Sequence, residues 1–178
     1  SNSLIFRLIA LSGVITLLIM LSNTIWSYEY ERTQIINEFR HNTMAVGMTI
    51  APHLYTEGLK GFTDNTHASD ANFQRIQQEL KRVQQDNQFD TDQIYILRKD
   101  TSADNLYQFS VMLHDKPFIG DLYSPPDTVK SMYQQAWEGT PQSTPMFTDD
   151  HGTFVAALIP LKDADGTVQG ILELDRNL

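Results

Sequence analysis

The chain has 178 residues, 41% of them hydrophobic, which is enough apolar material for a packed core and excludes a disordered polymer. Net charge is −9, from 22 acidic against 13 basic residues, and the densest basic spots are the pairs Lys81-Arg82 and Arg98-Lys99. No cationic stripe exists for phosphate contacts, so nucleic acid is excluded as a partner. Cysteine is absent, which removes disulfides, cysteine nucleophiles and thiolate metal sites together.

Leu8 to Trp26 carries no charged residue, and about 20 mainly apolar residues are what a helix needs to cross a bilayer. Arg7 precedes this stretch, while Glu29 and Glu31 follow it. The asymmetry predicts a cytoplasmic N-terminus, with Trp26, Tyr28 and Tyr30 at the far interface. Ser22-Asn23-Thr24-Ile25-Trp26 lacks the small-x-small pattern of a signal-peptide cleavage site. The absence of a polar face argues against the buried helix of a soluble protein. Residues 1–27 are therefore read as a transmembrane anchor, and residues 28–178 as a domain on the far side of the membrane.

The helix is expected to continue from Glu29 to about Phe62, with Pro52 causing a kink or restart. Ile36, Phe39, Val46, Ile50 and Leu54 form a stripe at helical spacing, able to cover the chain's own sheet or pair with a second copy as a homodimer. Beyond the polar stretch 63–72, Ser69 or Asp70 caps an amphipathic helix whose buried face is Phe73, Ile76, Leu80 and Val83. Gln93–Arg98 and Leu106–Leu113 read as strands. In the second of them, strict alternation would put Tyr107, Phe109, Val111 and Leu113 on one face. Ser124-Pro125-Pro126-Asp127 reads as a helix start, with Ser124 as N-cap, and Gly139 ends that helix. The chain closes with a three-stranded meander that turns at Asp149–Gly152 and Asp163–Gly166 and has long strands Thr153–Leu161 and Thr167–Asp175. Helices and strands do not alternate strictly, which excludes a doubly wound parallel sheet. The expected fold is α+β: a long N-terminal helix, a five-stranded antiparallel sheet and flanking helices.

Enzymatic constellations are missing. There is no serine elbow, HExxH or phosphate-cradling glycine loop, and the five histidines are not spaced as a metal set. Asp163-x-Asp165-Gly166 resembles the start of a calcium loop, but its glycine arrives early and no closing glutamate follows, so it is read as a hairpin turn. Glu173, between Leu172 and Leu174, is read as a half-buried, paired structural acid. No catalytic residue, metal or cofactor is assigned.

The runs Gln93–Arg98, Gly120-Asp121-Leu122-Tyr123, Asp150–Phe154, Leu158–Leu161, Asp163–Gly166 and Gly170–Asp175 together resemble the extracytoplasmic Cache sensor domains, PAS-like modules of bacterial chemoreceptors, histidine kinases and cyclases. The match is concentrated after Gln93. The resemblance implies a receptor module that binds a small molecule and relays the event, through a second membrane helix after Leu178, to a cytoplasmic output domain. By position it places ligand contacts at Asp121 and Tyr123 and an acid near Phe147 to Asp149. The arginine-x-tryptophan-tyrosine signature of the amino-acid-binding subgroup is absent, which speaks against amino acids as ligand. By residue type, Tyr107, His114, Phe118, Tyr123, Trp137 and Phe147 would line an aromatic cleft anchored by Asp121 and Asp149. Were Arg98 or Lys116 to point in instead, a carboxylate ligand would be indicated. The alternative is a ligand-free dimerisation or protein-interaction module in the periplasm.

Overall fold

The computed structural model describes residues 2–54, 56, 59, 62, 70–113 and 119–177. Two compact units make up the chain, Ser1–Glu38 and Phe39–Leu178, and helix α1 (Asn2–Ile50) contributes residues to both.

In the first unit every large apolar side chain from Leu4 to Trp26 is exposed. The hydroxyls of Thr16 and Thr24 fold back onto the carbonyls of Ser12 and Met20, both at 2.9 Å. A helix whose polar groups are satisfied internally and whose exterior is apolar on all sides suits a lipid environment. By length and composition it is able to cross a membrane.

The second unit is built on a seven-stranded antiparallel sheet. Its strands are β1 (Ile94–Lys99), β2 (Tyr107–Met112), β3 (Leu122–Tyr123), β4 (Gln142–Ser143), β5 (Phe147–Asp149), β6 (Gly152–Lys162) and β7 (Val168–Asn177). The order is β3-β2-β1-β7-β6-β4, with β5 also paired to β6. The expected five strands become seven because β3 and β4 are two-residue strands, too short to leave a periodic signal. The closing meander is present. At its second turn Asp163 Oδ1 accepts the Asp165 and Thr167 amides (3.1 and 2.9 Å), and Gly166 takes φ +82°.

β7 lies between β1 and β6, so its side chains alternate between two covered faces. Leu172 and Leu174 join Ile94, Ile96, Ile159 and Leu161 under the end of α1 and under α2 (Ala71–Asn87). On that face α1 packs tightly at Gly47, where a Cβ would stand 2.6 Å from Ile159 Cγ1 and 2.9 Å from Leu174 Cδ1. Arg40 holds the edge strand β4, its Nη2 donating to the Ser143 carbonyl at 2.9 Å. α1 ends at Ile50 rather than continuing past Pro52, which sits in a single 3-10 turn, Ala51–His53. Residues 55, 57, 58, 60 and 61 of the longer expected helix lie outside the described residues.

Helix α2 begins where expected. Asp70 Oδ1 accepts the amides of Asn72 and Phe73 at 2.8 and 2.9 Å, and Phe73, Ile76, Leu80 and Val83 are buried. Asp70→Ala is expected to lower unfolding free energy by about 1 kcal/mol, as read from chemical denaturation.

Two local expectations are corrected. Helix α3 spans Lys130–Trp137, its N-cap position is Val129, and no side chain caps it. Pro126 restricts Pro125 to extended backbone, so Ser124 cannot serve as the cap. Asp127 instead pairs with Lys130 Nζ at 2.7 Å. In β2 the alternation breaks at Ser110: Ile96 pairs with Val111 while Leu97 pairs with Phe109. This bulge sends Val111 to the α1 face and returns Met112 to the face of Tyr107 and Phe109.

Candidate ligand-binding site

The other face of the sheet carries Tyr95, Leu97, Tyr107, Phe109, Ala156, Leu158 and Ile171, covered by Val129, Tyr133 and Ala136 at and within α3. Into this apolar layer β7 also projects two acids. Glu173 and Asp175, two residues apart and so on the same face as Ile171, are 0% and 5% exposed.

Both carboxyls are held by phenols. Tyr133 donates to Glu173 Oε1 in a short hydrogen bond, and Tyr95 donates to Asp175 Oδ2 at 2.9 Å. Tyr123 donates to Asp149 Oδ2 at 3.0 Å and lies 3.5 Å, oxygen to oxygen, from Tyr133. Among the described residues no ion pair reaches Glu173 or Asp175, and Glu173 Oε2 and Asp175 Oδ1 receive no donor. Burial, then the adjacent Asp175, pushes Glu173 well above the usual carboxylate range. Burial raises Asp175 to about 7, against the opposing pull of its Tyr95 hydrogen bond. Burial likewise pushes the Tyr95 and Tyr133 phenols well up, followed by the charges of Asp175 and Glu173 respectively. The phenols are therefore donors across the physiological range.

Beside Asp175 a cavity of about 150 Å³ opens, with Asp92 and Asp149 as its other acids. Its walls are Tyr95, Phe109, Met112 and Phe154, with His151 at the β5–β6 turn. The rings of Tyr95 and Phe109 meet edge to face at 5.2 Å. The Ser110 bulge is what lets Phe109 and Met112 face the same space. Asp149 also shapes the rim: its Oδ1 accepts the amides of His151 and Gly152 at 2.8 and 3.2 Å. On the far side of this turn, Tyr123, Asp149 and His151 border a larger hollow of about 490 Å³. The cavity is acidic and aromatic, with no Lys or Arg among the described residues of its lining. Chemically it accepts hydrogen bonds and positive charge.

The residues singled out in the sequence are distributed as follows. Tyr123 and Asp149 are joined directly. Tyr107 and Phe147 are buried on the same face, Tyr107 against Tyr133 (5.5 Å between rings) and Phe147 against Phe154 (6.2 Å), behind the cavity rather than in its lining. Asp121 is exposed, and its backbone carbonyl accepts the Phe109 amide. His114 and Phe118 lie outside the described residues, as does Lys116. Trp137 borders a separate hollow beside the β1–β2 loop. Arg98 donates to Gln108 Oε1, not into the cavity. The sequence reading names none of Tyr95, Tyr133 and Asp175 as a candidate and reads Glu173 as a structural acid. The alternation Ile171, Glu173, Asp175 on a strand was the available signal.

No family model matches the chain, and no curated protein does. Among solved structures, it is similar to bacterial sensor domains. The ligand-binding domain of the Campylobacter jejuni chemoreceptor Tlp3 in complex with L-valine gives a TM-score of 0.49 at 16% identity, over 80% of this chain and 54% of that one. The sensor domain of the V. cholerae histidine kinase DctB gives 0.44 at 10%, over 84% and 58%. The periplasmic sensory domain of the C. jejuni chemoreceptor Tlp1 gives 0.44 at 17%, over 84% and 57%. The chain thus spans little more than half the length of the solved structures it resembles. Likeness this distant assigns no residue a role.

Proposed function

We propose that the chain is the extracytoplasmic sensor module of a membrane-bound signalling receptor, a non-enzymatic domain of the Cache type. A small molecule binds beside β7, and the event passes through the helices to a cytoplasmic output domain. Residues 1–27 anchor the module in the inner membrane, and residues 28–178 lie on the periplasmic or extracellular side. The observation that carries this reading is the cavity beside Asp175, a buried carboxyl with one oxygen left without a donor among the described residues. Buried polar atoms are satisfied in the great majority of cases, and a strongly perturbed acid at a cavity wall is a functional-site candidate. The apolar exterior of the first unit supports the anchor.

A thermal-shift screen of the full chain in nanodiscs, over small amines, carboxylates and purines, tests the reading. A stabilising compound is expected; silence across all three classes would favour a module that senses a partner protein instead.

A homodimer would place α1 of one copy against α1 of another. Of the stripe proposed for that seam, Val46 and Ile50 pack into the chain's own core, while Ile36 and Phe39 are half-buried. Phe39→Glu is expected to lower dimer content without unfolding the sheet; a parent protein that sediments as a monomer in detergent contradicts the seam.

A further inference from the structure

The strand that carries the buried acids also holds both helices of the opposite face. We propose that Glu173 and Asp175 make the domain a proton sensor in its own right: loss of the proton they hold moves the end of β7, and Leu174 and Arg176 carry that movement to α1 and α2. The proton is then an input separate from any small molecule, and only its use as a signal rests on the sensor reading above.

From Glu173 to Arg176 the side chains alternate between the two faces of the sheet. Glu173 and Asp175 enter the layer of apolar side chains and phenols, where each receives one phenol, Tyr133 and Tyr95 respectively. Their other oxygens, Glu173 Oε2 and Asp175 Oδ1, have no donor among the described residues. Two ionised carboxylates in such a place repel each other and lack donors, so the pair retains a proton. Among the described residues, those facing the pair include no Lys or Arg. Tyr95 approaches from β1, Asp92 from the turn before it, Tyr107 from β2, Tyr123 from β3, Tyr133 from α3 and Asp149 from β5. On β6 the partners of Glu173 and Asp175 are Leu158 and Ala156, both apolar. His151 lines the cavity beside Asp175. On α3, Lys130 is engaged by Asp127, and Glu138 adds a further acid near Tyr107. Burial raises both acids of the pair, Asp175 to about 7, which puts the loss of the proton near neutrality.

The opposite face shows where the movement goes. Leu174 Cδ1 lies against α1 at Gly47, where an added Cβ would stand 2.9 Å from it. Arg176 Nη2 and Nη1 donate to the carbonyls of Asn87 and Gln88, at 3.0 and 3.2 Å, and its guanidinium lies 4.0 Å over the Phe89 ring. Those carbonyls belong to the C-terminal end of α2, where positive charge is favoured. With its proton, Asp175 is neutral and fits the apolar layer. Ionised, it needs further donors, and the adjacent cavity of about 150 Å³ is where solvent can supply them. The strand end is drawn toward that space. Leu174 and Arg176, on either side of Asp175, then ease away from Gly47 and from the end of α2.

The chain has no cysteine, so Met48→Cys on α1 and Asp86→Cys on α2, both at exposed positions, accept a unique pair of spin labels. Electron–electron double resonance of the labelled full chain in nanodiscs, from pH 5 to 8, reads the distance between the helices. Infrared difference spectra over the same range read the protonated carboxyl band. The expected result is a change of distance that follows loss of the band, with one midpoint and the slope of one proton, at constant circular dichroism. Glu173→Gln combined with Asp175→Asn, neutral at both positions, should keep the low-pH distance throughout. Arg176→Gln should keep the titration of the band and lose the change of distance, which keeps the test decisive if the double variant folds poorly. Asp121→Asn should behave as the parent. A distance that stays fixed while the band titrates, a change that survives in the double variant, or one lost only in His151→Gln, overturns the proposal. So does a loss of circular dichroism across the range, which would make the change an unfolding. The thermal-shift screen is independent of these outcomes: its failure would remove the sensor reading and leave the proton-driven movement standing.

Discussion

In the absence of ligand, the sheet-containing unit loses stability as pH rises from about 4 to about 7. Asp175 moves from an ordinary value of 3.8 to about 7 on folding, and Glu173 moves in the same direction through burial and its neighbour Asp175. An acid whose folded value is raised binds its proton more tightly in the native state than in the unfolded chain. The stabilisation is fully present below the unfolded value and disappears as pH climbs through the folded one. For one such acid the loss is on the order of 1 kcal/mol per pH unit within the window. Glu79, Asp100 and Asp127 work in the opposite direction, each held below the usual range by a hydrogen-bonding neighbour, Arg82, Ser102 and Lys130 respectively. They lie at the surface, where such pairs contribute little. Denaturation midpoints measured across this window should therefore fall with pH in the parent protein. Asp175→Asn should flatten the curve and be more stable than the parent at pH 8. A parent whose stability rises steadily from pH 4 to 7 would show that the pair is not buried as described.

The second large effect is expected at Gly47. A side chain there must displace Ile159 at its Cγ1, close to the strand, as well as the end of Leu174. Gly47→Val should destabilise the unit by about 1–3 kcal/mol, the usual cost of overpacking a core. Gly47→Ala should be milder, because one methyl can be met by rotation of the Leu174 tip. Gly13→Ala, with nothing within 4 Å of the added Cβ, serves as the neutral control. The position also bears on signalling. Leu174 stands between Glu173 and Asp175 on β7 and points to the opposite face, so a shift of the strand at the acid pair presses on α1 at Gly47. If α1 relays the event, Gly47→Val should weaken coupling to a fused output domain more than it weakens ligand binding. Equal loss of both would mean only that the unit is less folded.

The parts of this molecule that were legible in the sequence are those written in short-range chemistry. Asp70 and the Phe73, Ile76, Leu80, Val83 stripe specify α2 locally, and the Asp163–Gly166 turn sets the β6–β7 hairpin. The parts that were not legible depend on partners far along the chain. Tyr95 meets Asp175 across 80 positions because β7 returns to pair with β1. Glu173 finds Tyr133 across 40 because α3 covers that face. The Ser110 bulge shifts which residues face the cavity without any glycine or proline to announce it. Tyr123 and Asp149 were singled out as separate candidates, and only the fold makes them one hydrogen-bonded pair. Two-residue strands such as β3 and β4 carry no periodicity at all, so the sheet's width was underestimated.

The most direct test is the thermal shift of parent and Asp175→Asn against the same panel of amines, carboxylates and purines, in nanodiscs at pH 7.5. A compound held at about 100 times its Kd stabilises the native state by roughly 2.7 kcal/mol, a shift well above measurement error. The account predicts a stabilising compound whose effect disappears in Asp175→Asn. A compound that stabilises both proteins equally would place the binding site away from β7, and contradict it.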